Sequence, residues 1–590
     1  MKETWDLTKL YKTEEDFEED LRIFKEVDTP LVASFEGKLK EEETLLAYFK
    51  ADQALSPRLH RLYMYASCLS DLNKKDVAAS ERKGKVDLAL QDYITRASFA
   101  SPEILSLGKE KMDAFFEKHL EVAEYDFSIE KLFLDQKHVL DSEKEKLLSN
   151  YAPLLDEGGE LYSALSVADL TPSKATLSDG NEVTVTQSNW SSLIRKAKTA
   201  EDREKIFKTL YRYYDIHKNT YGEIYNAVLR GELAEMRARG YKSILESHLE
   251  HNKISKDVFL NLLEAAKEGS APLKRYYELR KKALHLEKHR SYDRFLELAK
   301  SEKRYTFEEA QSLFFDSIKD FPADFVNKAH EVNKEGYVDV LPRPGKRSGA
   351  YSTGGSNIHP YILLNFEGEL DDVFTLAHES GHSIHTLYTE ESQPIAKQDY
   401  TIFVAEIAST FNEHNLLDYL LRSDDLSKND KIHLLQKALD EICATFYRQT
   451  LFGEYEYRAS LLAEKGEPIN YQVLSGIMTD LYKEYYGIDI QEEELKPLVW
   501  AYIPHLFYTP FYVYQYATSF TASLLIYENV KNGKEGAFED YISLLRSGGS
   551  DFPIEECKKA HVDFLNKETF LACPKRMEEL LDKLEGLLSE

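Results

Sequence analysis

The sequence predicts a mainly α-helical protein divided into two lobes. Apolar residues recur at spacings of three and four through much of the N-terminal quarter, as in Leu45, Tyr48 and Phe49, and this is the period of a helix with one buried face. Glycine (26) and proline (17) are sparse among the 590 residues, so few breaks are expected. A chain of this length exceeds a single hydrophobic core, and we divide it into lobes of residues 1–195 and 196–590.

Two short non-helical stretches interrupt the helical pattern. We expect packed helices up to about residue 170, with a turn at residues 157–159. Residues 174–186 have the pattern of a β-hairpin around a tight turn. Residues 336–368 mix β-branched and aromatic residues with glycine and proline, which predicts two short strands and glycine-rich loops. This β patch is either a small structural sheet or an edge strand that pairs with an extended peptide.

The composition argues against several classes of function. The formal net charge is −28, whereas a nucleic-acid-binding protein needs a basic face, so no nucleic-acid partner is expected. The sequence has no run of about eighteen apolar residues and no apolar signal segment, so we expect neither a membrane span nor secretion. The four cysteines lie far apart, which favours reduced, buried thiols. A cytoplasmic location is the default expectation, and the oligomeric state stays open.

The strongest chemical signal is a His-Glu-x-x-His motif at residues 378–382. On a helix, His378 and His382 lie one turn apart on the same face and can share one metal ion. Imidazole nitrogens bind zinc at about 2.0–2.1 Å, which this spacing permits. Glu379 lies beside the first ligand and is placed to act on a water molecule at the metal. Apolar neighbours indicate a buried helix, in which these polar residues would be costly without an ion.

A catalytic zinc site usually has a third protein ligand. The next candidate is Glu406, which lies in an apolar segment, residues 399–413, predicted to form a second helix. Glu413 lies two turns further on the same face. It is either an acceptor for the ring N–H of a ligand histidine or a solvated glutamate on a helix surface. For His385 we expect packing or hydrogen bonding rather than a ligand role.

The run from His378 to Glu413, with Glu406 in the third-ligand position, resembles the thimet-oligopeptidase-like zinc peptidases, and most closely their bacterial oligoendopeptidase F branch. Three further segments carry the resemblance: residues 5–7, 345–351 and 503–516. It extends over nearly the whole chain and is most specific from about residue 200 onward. It implies a two-lobed helical bowl or clam, whose deep central channel holds one zinc ion and admits only short unfolded peptides. The small β patch would lie near the active site.

The resemblance also gives a role to the tyrosine-rich segment around residue 510. By themselves its tyrosines have the pattern of core aromatics. In the family, a histidine and one or more tyrosines from this region face the scissile carbonyl, because the oxyanion formed there needs donors beyond the metal. His505 matches the family histidine, and Tyr508 and Tyr512 are the favoured donors, with Tyr514 and Tyr516 as rivals. Candidate contacts to substrate are Gly349, Tyr351, His359 and Tyr514.

The sequence therefore predicts a zinc-dependent endopeptidase that hydrolyses internal bonds of short unfolded peptides. His378, His382 and Glu406 would hold the zinc ion, and Glu379 would act as the general base. A metallocarboxypeptidase of similar helical fold is an alternative, although no segment identifies a residue that captures the free carboxylate of a substrate. A non-catalytic peptide-binding protein is a second alternative, against which the complete ligand set argues.

Overall fold

Helices dominate the structure, and the mainly α-helical fold predicted from the sequence is confirmed. The computed structural model describes residues 4–155, 157–301 and 303–589, with all their side chains except those of residues 142, 146, 149, 152 and 153. Within these ranges no helix is long and apolar enough to cross a lipid bilayer.

The helices succeed one another along the chain with few strands between them. The first are α1 (Glu14–Ile23), α2 (Thr29–Ala33), α3 (Glu42–Leu72), α4 (Val77–Ala97), α5 (Ala100–Leu107), α6 (Lys109–Lys118), α7 (Asp126–Asp135), α8 (Ser142–Leu155) and α9 (Glu157–Ser163). After the first hairpin come α10 (Trp190–Lys196), α11 (Ala200–Ile216), α12 (Lys218–Arg239), α13 (Ile244–Leu249), α14 (Lys256–Glu268), α15 (Ala271–Ala283), α16 (Phe307–Ile318) and α17 (Ala323–Val332).

The remaining helices follow the second sheet. They are α18 (Leu370–Ser392), α19 (Ile402–Ala405), α20 (Ile407–Leu421), α21 (Lys428–Glu441), α22 (Arg448–Lys465), α23 (Tyr471–Tyr486), α24 (Val499–Tyr502), α25 (His505–Tyr508), α26 (Tyr514–Lys531), α27 (Ala537–Ser547), α28 (Pro553–Lys559) and α29 (Ala572–Ser589). Helical turns of π type occupy Phe24–Asp28, Ala164–Ala168 and Ile442–Tyr447. Turns of 3₁₀ type occupy Leu7–Lys9, Leu120–Tyr125, Gln136–His138, Glu250–Asn252, Ser291–Phe295, Ile395–Lys397, Ile490–Glu492, Lys496–Leu498 and Lys567–Thr569.

Two small sheets account for the described strands. Strands β1 (Ser173–Thr176) and β2 (Glu182–Val185) pair antiparallel, so the predicted hairpin is confirmed. The second sheet has the order β3-β5-β4, from β3 (Val338–Asp339), β4 (Tyr351–Gly355) and β5 (Ile358–Leu363). It contains three strands rather than the two predicted, because the glycine-containing stretch β4 pairs antiparallel with β5. β4 is consequently an edge strand.

The chain folds into two units, each assembled from three separate stretches. One unit comprises Met1–Lys137, Glu302–Arg422 and Ser523–Val562, and the other comprises His138–Ser301, Ser423–Ala522 and Asp563–Glu590. The division at residue 195 refers to contiguous domains of the sequence and stays a prediction. The four cysteines are free and buried.

The turn predicted at residues 157–159 is wrong. These residues form the first turn of α9. A Cβ on Gly158 would lie 2.5 Å from Cγ2 of Val228, so the glycine lets α9 and α12 pack closely. Glycine here serves tertiary packing rather than a change of chain direction.

The second sheet is anchored to α3 within the first unit. Met64 and Cys68 of α3 pack in one apolar cluster with Trp5 and with Tyr361 and Leu363 of β5. The indole N–H of Trp5 donates a hydrogen bond to a carbonyl of β5 at 2.7 Å. Because an aromatic ring with a satisfied polar group stabilises a buried contact, this cluster fixes the sheet against the helices.

Helices α18 and α20 cross in close backbone contact at Gly381. A Cβ at this position would lie 2.4 Å from the carbonyl oxygen of Ala408 and 2.7 Å from Cα of Ser409. Backbone atoms cannot rotate away as a side chain can, so the helices must move apart to accept any side chain.

Gly381→Ala should therefore lower the free energy of unfolding by about 3 kcal/mol, the upper end of ordinary overpacking. Chemical denaturation followed by circular dichroism measures the change. Gly84→Ala is the matched control, because a Cβ on Gly84 in α4 meets nothing within 4 Å and should stabilise the helix by about 0.5–1 kcal/mol. Equal stability of Gly381→Ala and the native protein would contradict this account of the crossing.

Candidate metal centre

Helix α18 carries both histidines of the His-Glu-x-x-His motif. It begins at a capping box in which the Asp372 carboxylate accepts a hydrogen bond from the backbone N–H of Glu369 at 2.9 Å, which satisfies a donor that the helix start leaves open. His378 and His382 lie one turn apart on the same face. Their Nε2 atoms are 3.2 Å apart.

Glu406 lies at a break in the helix that the sequence predicts across residues 399–413. α19 ends at Ala405 and α20 begins at Ile407, and the residue between them has a ψ of 0°, outside the helical range. The expectation of one continuous helix is wrong. The break lies two residues before Ala408, whose backbone contacts α18 at Gly381. At the break, Oε2 of Glu406 lies 3.4 Å from Nε2 of each histidine.

These three side chains have the spacing of a tetrahedral zinc site. Ligand atoms about 2.0–2.1 Å from a tetrahedral zinc ion lie about 3.3 Å from one another. The separations here are 3.2, 3.4 and 3.4 Å. Two imidazoles and one carboxylate also form a ligand set of catalytic zinc, in which a fourth position stays open. The residues present therefore fit zinc, and His378, His382 and Glu406 would hold it.

Glu413 orients the first histidine. Its Oε1 accepts a hydrogen bond from Nδ1 of His378 at 2.6 Å, and the side chain is buried. The proton on Nδ1 leaves the lone pair of Nε2 available to a metal ion. The side-chain amide of Asn412 donates to the carbonyl of Ala377 at 3.1 Å, which adds a second link between the two helices.

The carboxylates around the histidines create a field that favours a cation. Burial works against a charged imidazole, yet the hydrogen bond to Glu413 and the neighbouring carboxylates raise the pKa of His378 to about 10. Burial likewise opposes ionisation of Glu406, but the hydrogen bond with His382 and the charges of the imidazoles lower its pKa to about 2. A site that favours positive charge on its imidazoles also favours a bound metal cation.

Glu379 is the one motif residue that points no ligand atom into this triangle. Its side chain is 6% exposed, and its Oε2 has no hydrogen-bond partner among the described residues. Burial raises the pKa of Glu379. A buried carboxylate oxygen without a hydrogen-bond partner is costly. Such an oxygen indicates a group that interacts with a ligand or a reacting molecule.

His385, the remaining histidine of α18, packs in a buried aromatic contact. Its ring stacks on that of Tyr400 with the centroids 3.9 Å apart, and it is 1% exposed. Burial lowers its pKa to about 3. The expected packing role of His385 is confirmed.

The metal centre opens into a cavity of about 770 Å³, a volume typical of ligand sites. Residues 350–356, which include strand β4, line this cavity together with the motif residues of α18. The hydroxyls of Ser352 and Ser383 are 2.8 Å apart and connect the strand to the helix. The expected position of the β patch near the site is confirmed.

Of the three residues assigned to substrate in the β patch, Tyr351 lines this cavity. Its hydroxyl donates a hydrogen bond to Asp71 at 2.7 Å. Gly349 and His359 are absent from the described lining. Gly349 is exposed with a φ of 80°, and His359 stacks on Tyr337 with the centroids 3.5 Å apart. Their assignment to substrate stays a prediction.

The tyrosine-rich segment belongs to the other unit. His505 and Tyr508 form the two ends of α25 and are exposed. The ring of Tyr512 lies parallel to that of His505, with the centroids 6.1 Å apart. Tyr514 is 2% exposed and packs edge-on against Phe259. Exposure therefore separates Tyr514, a core residue, from Tyr508 and Tyr512, which remain accessible to a ligand.

The turn between Tyr508 and Tyr512 has a strained backbone. Phe511 has a φ of 55°, a left-handed conformation that is rare for an aromatic residue. Its backbone N–H donates a hydrogen bond to Oε1 of Glu456 at 2.8 Å. Glu456 is 2% exposed, and burial raises its pKa to about 8. Such strain persists only where the surroundings fix it, so Glu456 fixes the turn between Tyr508 and Tyr512.

Glu390 is a cavity residue that the sequence-based reasoning does not single out. It lies two turns beyond His382 on α18 and lines the same cavity. Burial raises the pKa of its carboxylate to about 7, against the opposing effect of the backbone N–H groups of Ile358, Gly355 and Asn357. Glu390 thus lies beside the turn between β4 and β5. Its spacing of eight residues from His382 places it on the metal-facing side, a signal that the sequence does contain.

Two family models match the chain. The model of Oligopeptidase F matches residues 103–171. The model of Peptidase family M3 matches residues 193–574, which is more than half of the chain. The protein belongs to peptidase family M3.

Relatives of this M3 peptidase match it from end to end. Oligopeptidase PepF of Bacillus subtilis (strain 168) is 33% identical over 99% of this chain and 87% of its own length. Group B oligopeptidase PepB of Streptococcus agalactiae serotype III is 31% identical over 99% of this chain and 97% of its own. The crystal structure of oligoendopeptidase-F from Enterococcus faecium superposes with a TM-score of 0.75 at 26% identity, over 98% and 99% of the two chains.

Membership of this family confirms the predicted class of enzyme. The M3 peptidase is a metalloendopeptidase, and the resemblance to the oligoendopeptidase F branch is confirmed. Its reaction therefore involves a metal ion and a peptide substrate. Among the residues that the structure describes, His378, His382 and Glu406 form the one group of three metal-ligating side chains close enough to share an ion.

Glu413→Gln should lower the affinity of the M3 peptidase for zinc by about 10–100-fold, the usual effect of removing an acceptor behind a ligand histidine. The amide keeps the shape of the side chain but loses the negative charge that holds the proton on Nδ1 of His378. Competition with a chromophoric chelator measures the affinity. The control is Glu367→Gln, since Glu367 is exposed. The same affinity in both variants would contradict the role of Glu413.

Proposed function

We propose that this M3 peptidase is a zinc-dependent oligopeptidase that holds one zinc ion per chain and cuts internal bonds of short unfolded peptides. The observation that carries the proposal is the triangle of three ligand atoms with a buried, unpartnered Glu379 oxygen beside it. The four free, buried cysteines support a reducing compartment such as the cytoplasm.

His378, His382 and Glu406 are the proposed zinc ligands. Zinc bound there would lower the pKa of water to about 7 and polarise the substrate carbonyl. Ser409 supports the third ligand, because its hydroxyl donates a hydrogen bond to Oε2 of Glu406 at 2.9 Å. That bond fixes the carboxylate at the helix break and reduces the entropy lost when a metal binds.

Glu379 is the proposed general base. It would accept a proton from the attacking water and later donate that proton to the nitrogen of the leaving amine. Burial raises the pKa of its carboxylate, which strengthens it as a base and keeps the proton available for return. The Oε2 atom of Glu379 supports this role, since no described residue donates a hydrogen bond to it.

His505, Tyr508 and Tyr512 are proposed donors to the oxyanion. Peptide hydrolysis places negative charge on the former carbonyl oxygen, and fixed donors stabilise it in the transition state. His505 and Tyr508 are exposed and Tyr512 is half-buried, which supports their accessibility to a ligand. The buried Tyr514, by contrast, is better explained as part of the apolar core.

Strand β4 is the proposed site for the substrate backbone. It is an edge strand and lines the cavity beside the ligand triangle. An extended peptide can add to such an edge through main-chain hydrogen bonds, which bind many sequences with little discrimination. The backbone of a folded protein is already paired, so this mode favours unfolded peptides.

Endopeptidase action is favoured over carboxypeptidase action. A carboxypeptidase needs a cation for the free carboxylate of its substrate, and the described lining of the cavity contains neither lysine nor arginine. The test is a ten-residue peptide, acetylated and amidated at its ends and quenched internally. We expect internal cuts, identified by mass spectrometry, that stop with chelator and return with zinc. Cleavage only of the unblocked peptide, one residue at a time from the C-terminus, would contradict the proposal.

A further inference from the structure

A second cavity lies in the unit that comprises His138–Ser301, Ser423–Ala522 and Asp563–Glu590. Its volume is about 220 Å³. It is smaller than the pockets of about 300–1,000 Å³ that hold organic ligands, yet much larger than the roughly 30 Å³ of one water molecule. Aromatic residues form much of its wall: Tyr277, Phe295, Tyr482 and Tyr486. The M3 reaction described above uses none of these residues.

Two arginines line this cavity without a carboxylate partner. Cζ of Arg294 lies 4.5 Å from the ring centroid of Phe295, and Cζ of Arg448 lies 5.2 Å from that of Phe452. Within the described part of the chain, no ion pair or side-chain hydrogen bond is formed by either guanidinium. A guanidinium offers five N–H donors, so both side chains keep donors available to a ligand in the cavity.

Two nearby arginines that are more deeply buried, Arg203 and Arg280, have carboxylate or carbonyl partners. Arg203 pairs with Asp293 at 2.7 Å. Arg280 donates to the carbonyl oxygens of Asp293, Arg294 and Leu296 at 2.6–3.1 Å. Arg294 and Arg448, which line the cavity, therefore differ from these two neighbours in having no such partner among the described residues.

The local electrostatic field is positive. Lys496 is 1% exposed, and burial together with the charges of Arg294 and Arg448 lowers its pKa well below the ordinary value, against the opposing charge of Glu493. Burial and the charge of Arg448 also lower the pKa of Arg294. The charge of Arg448 thus acts on both Arg294 and Lys496, so positive charge is concentrated beside this cavity.

Asp440 is the one acidic residue in the described lining, and it is already engaged. Its carboxylate accepts hydrogen bonds from the hydroxyl of Tyr276 at 2.8 Å and from the amide of Gln436 at 3.1 Å, and it lies 3.7 Å from Arg280. Burial raises its pKa. The charge of Arg294 also acts on Asp440 and lowers its pKa, but among the described residues neither cavity arginine forms an ion pair with this carboxylate.

We propose that this cavity is a binding site for one small anion, held between the guanidinium groups of Arg294 and Arg448. The planar fork of arginine suits the oxygens of phosphate or a small carboxylate and also accommodates a halide. The aromatic walls exclude water around the ion, which strengthens its attraction to both charges. This site is independent of the proposed peptidase reaction.

The test measures the thermal unfolding temperature of the full chain at constant ionic strength. Sodium chloride, sodium phosphate or sodium acetate replaces the salt of a bulky organic sulfonate in separate titrations. We expect a saturable rise of about 2 °C or more with at least one of the three anions, because a ligand that binds only the folded state stabilises it. Comparing the three separates halide, phosphate and carboxylate as the source of the charge.

Three variants decide whether the rise comes from the cavity. Arg448→Met removes one guanidinium and should abolish the response. Ala444→Phe blocks the cavity from an exposed position in its lining and should abolish it without loss of charge or fold. Arg422→Met, at an exposed arginine at the end of α20, should keep it. No saturable response in the native protein, or an equal response in all variants, would overturn the proposal.

Discussion

Replacing Glu379 by glutamine should lower the turnover of a quenched peptide by about 10²–10⁴-fold, the range that a positioned general base contributes. Glutamine has nearly the same shape but cannot accept and return a proton. Because Glu379 directs no ligand atom into the triangle of His378, His382 and Glu406, the variant should still bind one zinc ion per chain. Hydrolysis of the quenched peptide as the only substrate measures turnover, and atomic emission measures the zinc content.

The comparison variant for this experiment is Glu367→Gln, which removes a carboxylate from an exposed position in the same unit. Its turnover should match that of the native enzyme. Near-native turnover in a zinc-loaded Glu379→Gln variant would rule out Glu379 as the base and would shift attention to Glu390, the other carboxylate in the cavity with a pKa raised by burial.

Glu406→Ala should abolish tight zinc binding and, with it, peptide hydrolysis. The change removes one corner of a triangle whose edges are 3.2–3.4 Å and leaves two imidazoles, one fewer protein ligand than catalytic zinc usually has. The loss of affinity should exceed the roughly 10–100-fold expected for Glu413→Gln, which only supports a ligand. Chelator competition measures both variants on one scale.

Ser409→Ala provides a graded control for Glu406→Ala. It removes the hydroxyl that donates to Oε2 of Glu406 but leaves every proposed ligand in place. Its effect should be the smallest of the three, because one hydrogen bond contributes about 0.5–1.5 kcal/mol, which is at most roughly tenfold in affinity. If Glu406→Ala kept native zinc affinity and a native circular dichroism spectrum, a different third ligand would be required.

The sequence predicts the metal centre well because its main signal is local. His378, Glu379 and His382 lie within one and a half turns of a helix, so their relative positions follow from helix geometry alone. Glu406 and Glu413 stand out because each is an acidic residue in an apolar segment that must be buried. The structure brings all five into one cluster.

Features that depend on tertiary contacts were not predictable in the same way. The apolar pattern continues through Glu406, and the helix breaks there beside the backbone contact with Gly381. Residues 157–159, Glu-Gly-Gly, have the composition of a turn, whereas Gly158 allows close approach to Val228. In both cases a residue distant in sequence determines the local conformation, and secondary-structure propensity contains no information about that contact.

The tyrosine-rich segment shows a further limit of pattern reasoning. Five tyrosines lie within fifteen residues, and their spacing does not separate core positions from exposed ones. The structure does so through the strained turn at Phe511, after which Tyr514 is buried while Tyr508 stays exposed. Likewise, residues 523–562 belong to the first unit, and the spacing of apolar residues along the sequence does not predict this.

Zinc-edge anomalous diffraction from crystals of the zinc-loaded enzyme tests the central claim most directly. We expect one anomalous peak per chain, about 2.0–2.1 Å from Nε2 of His378, Nε2 of His382 and an oxygen of Glu406. An active, zinc-loaded enzyme whose peak lay away from these three atoms would contradict the account of the metal centre.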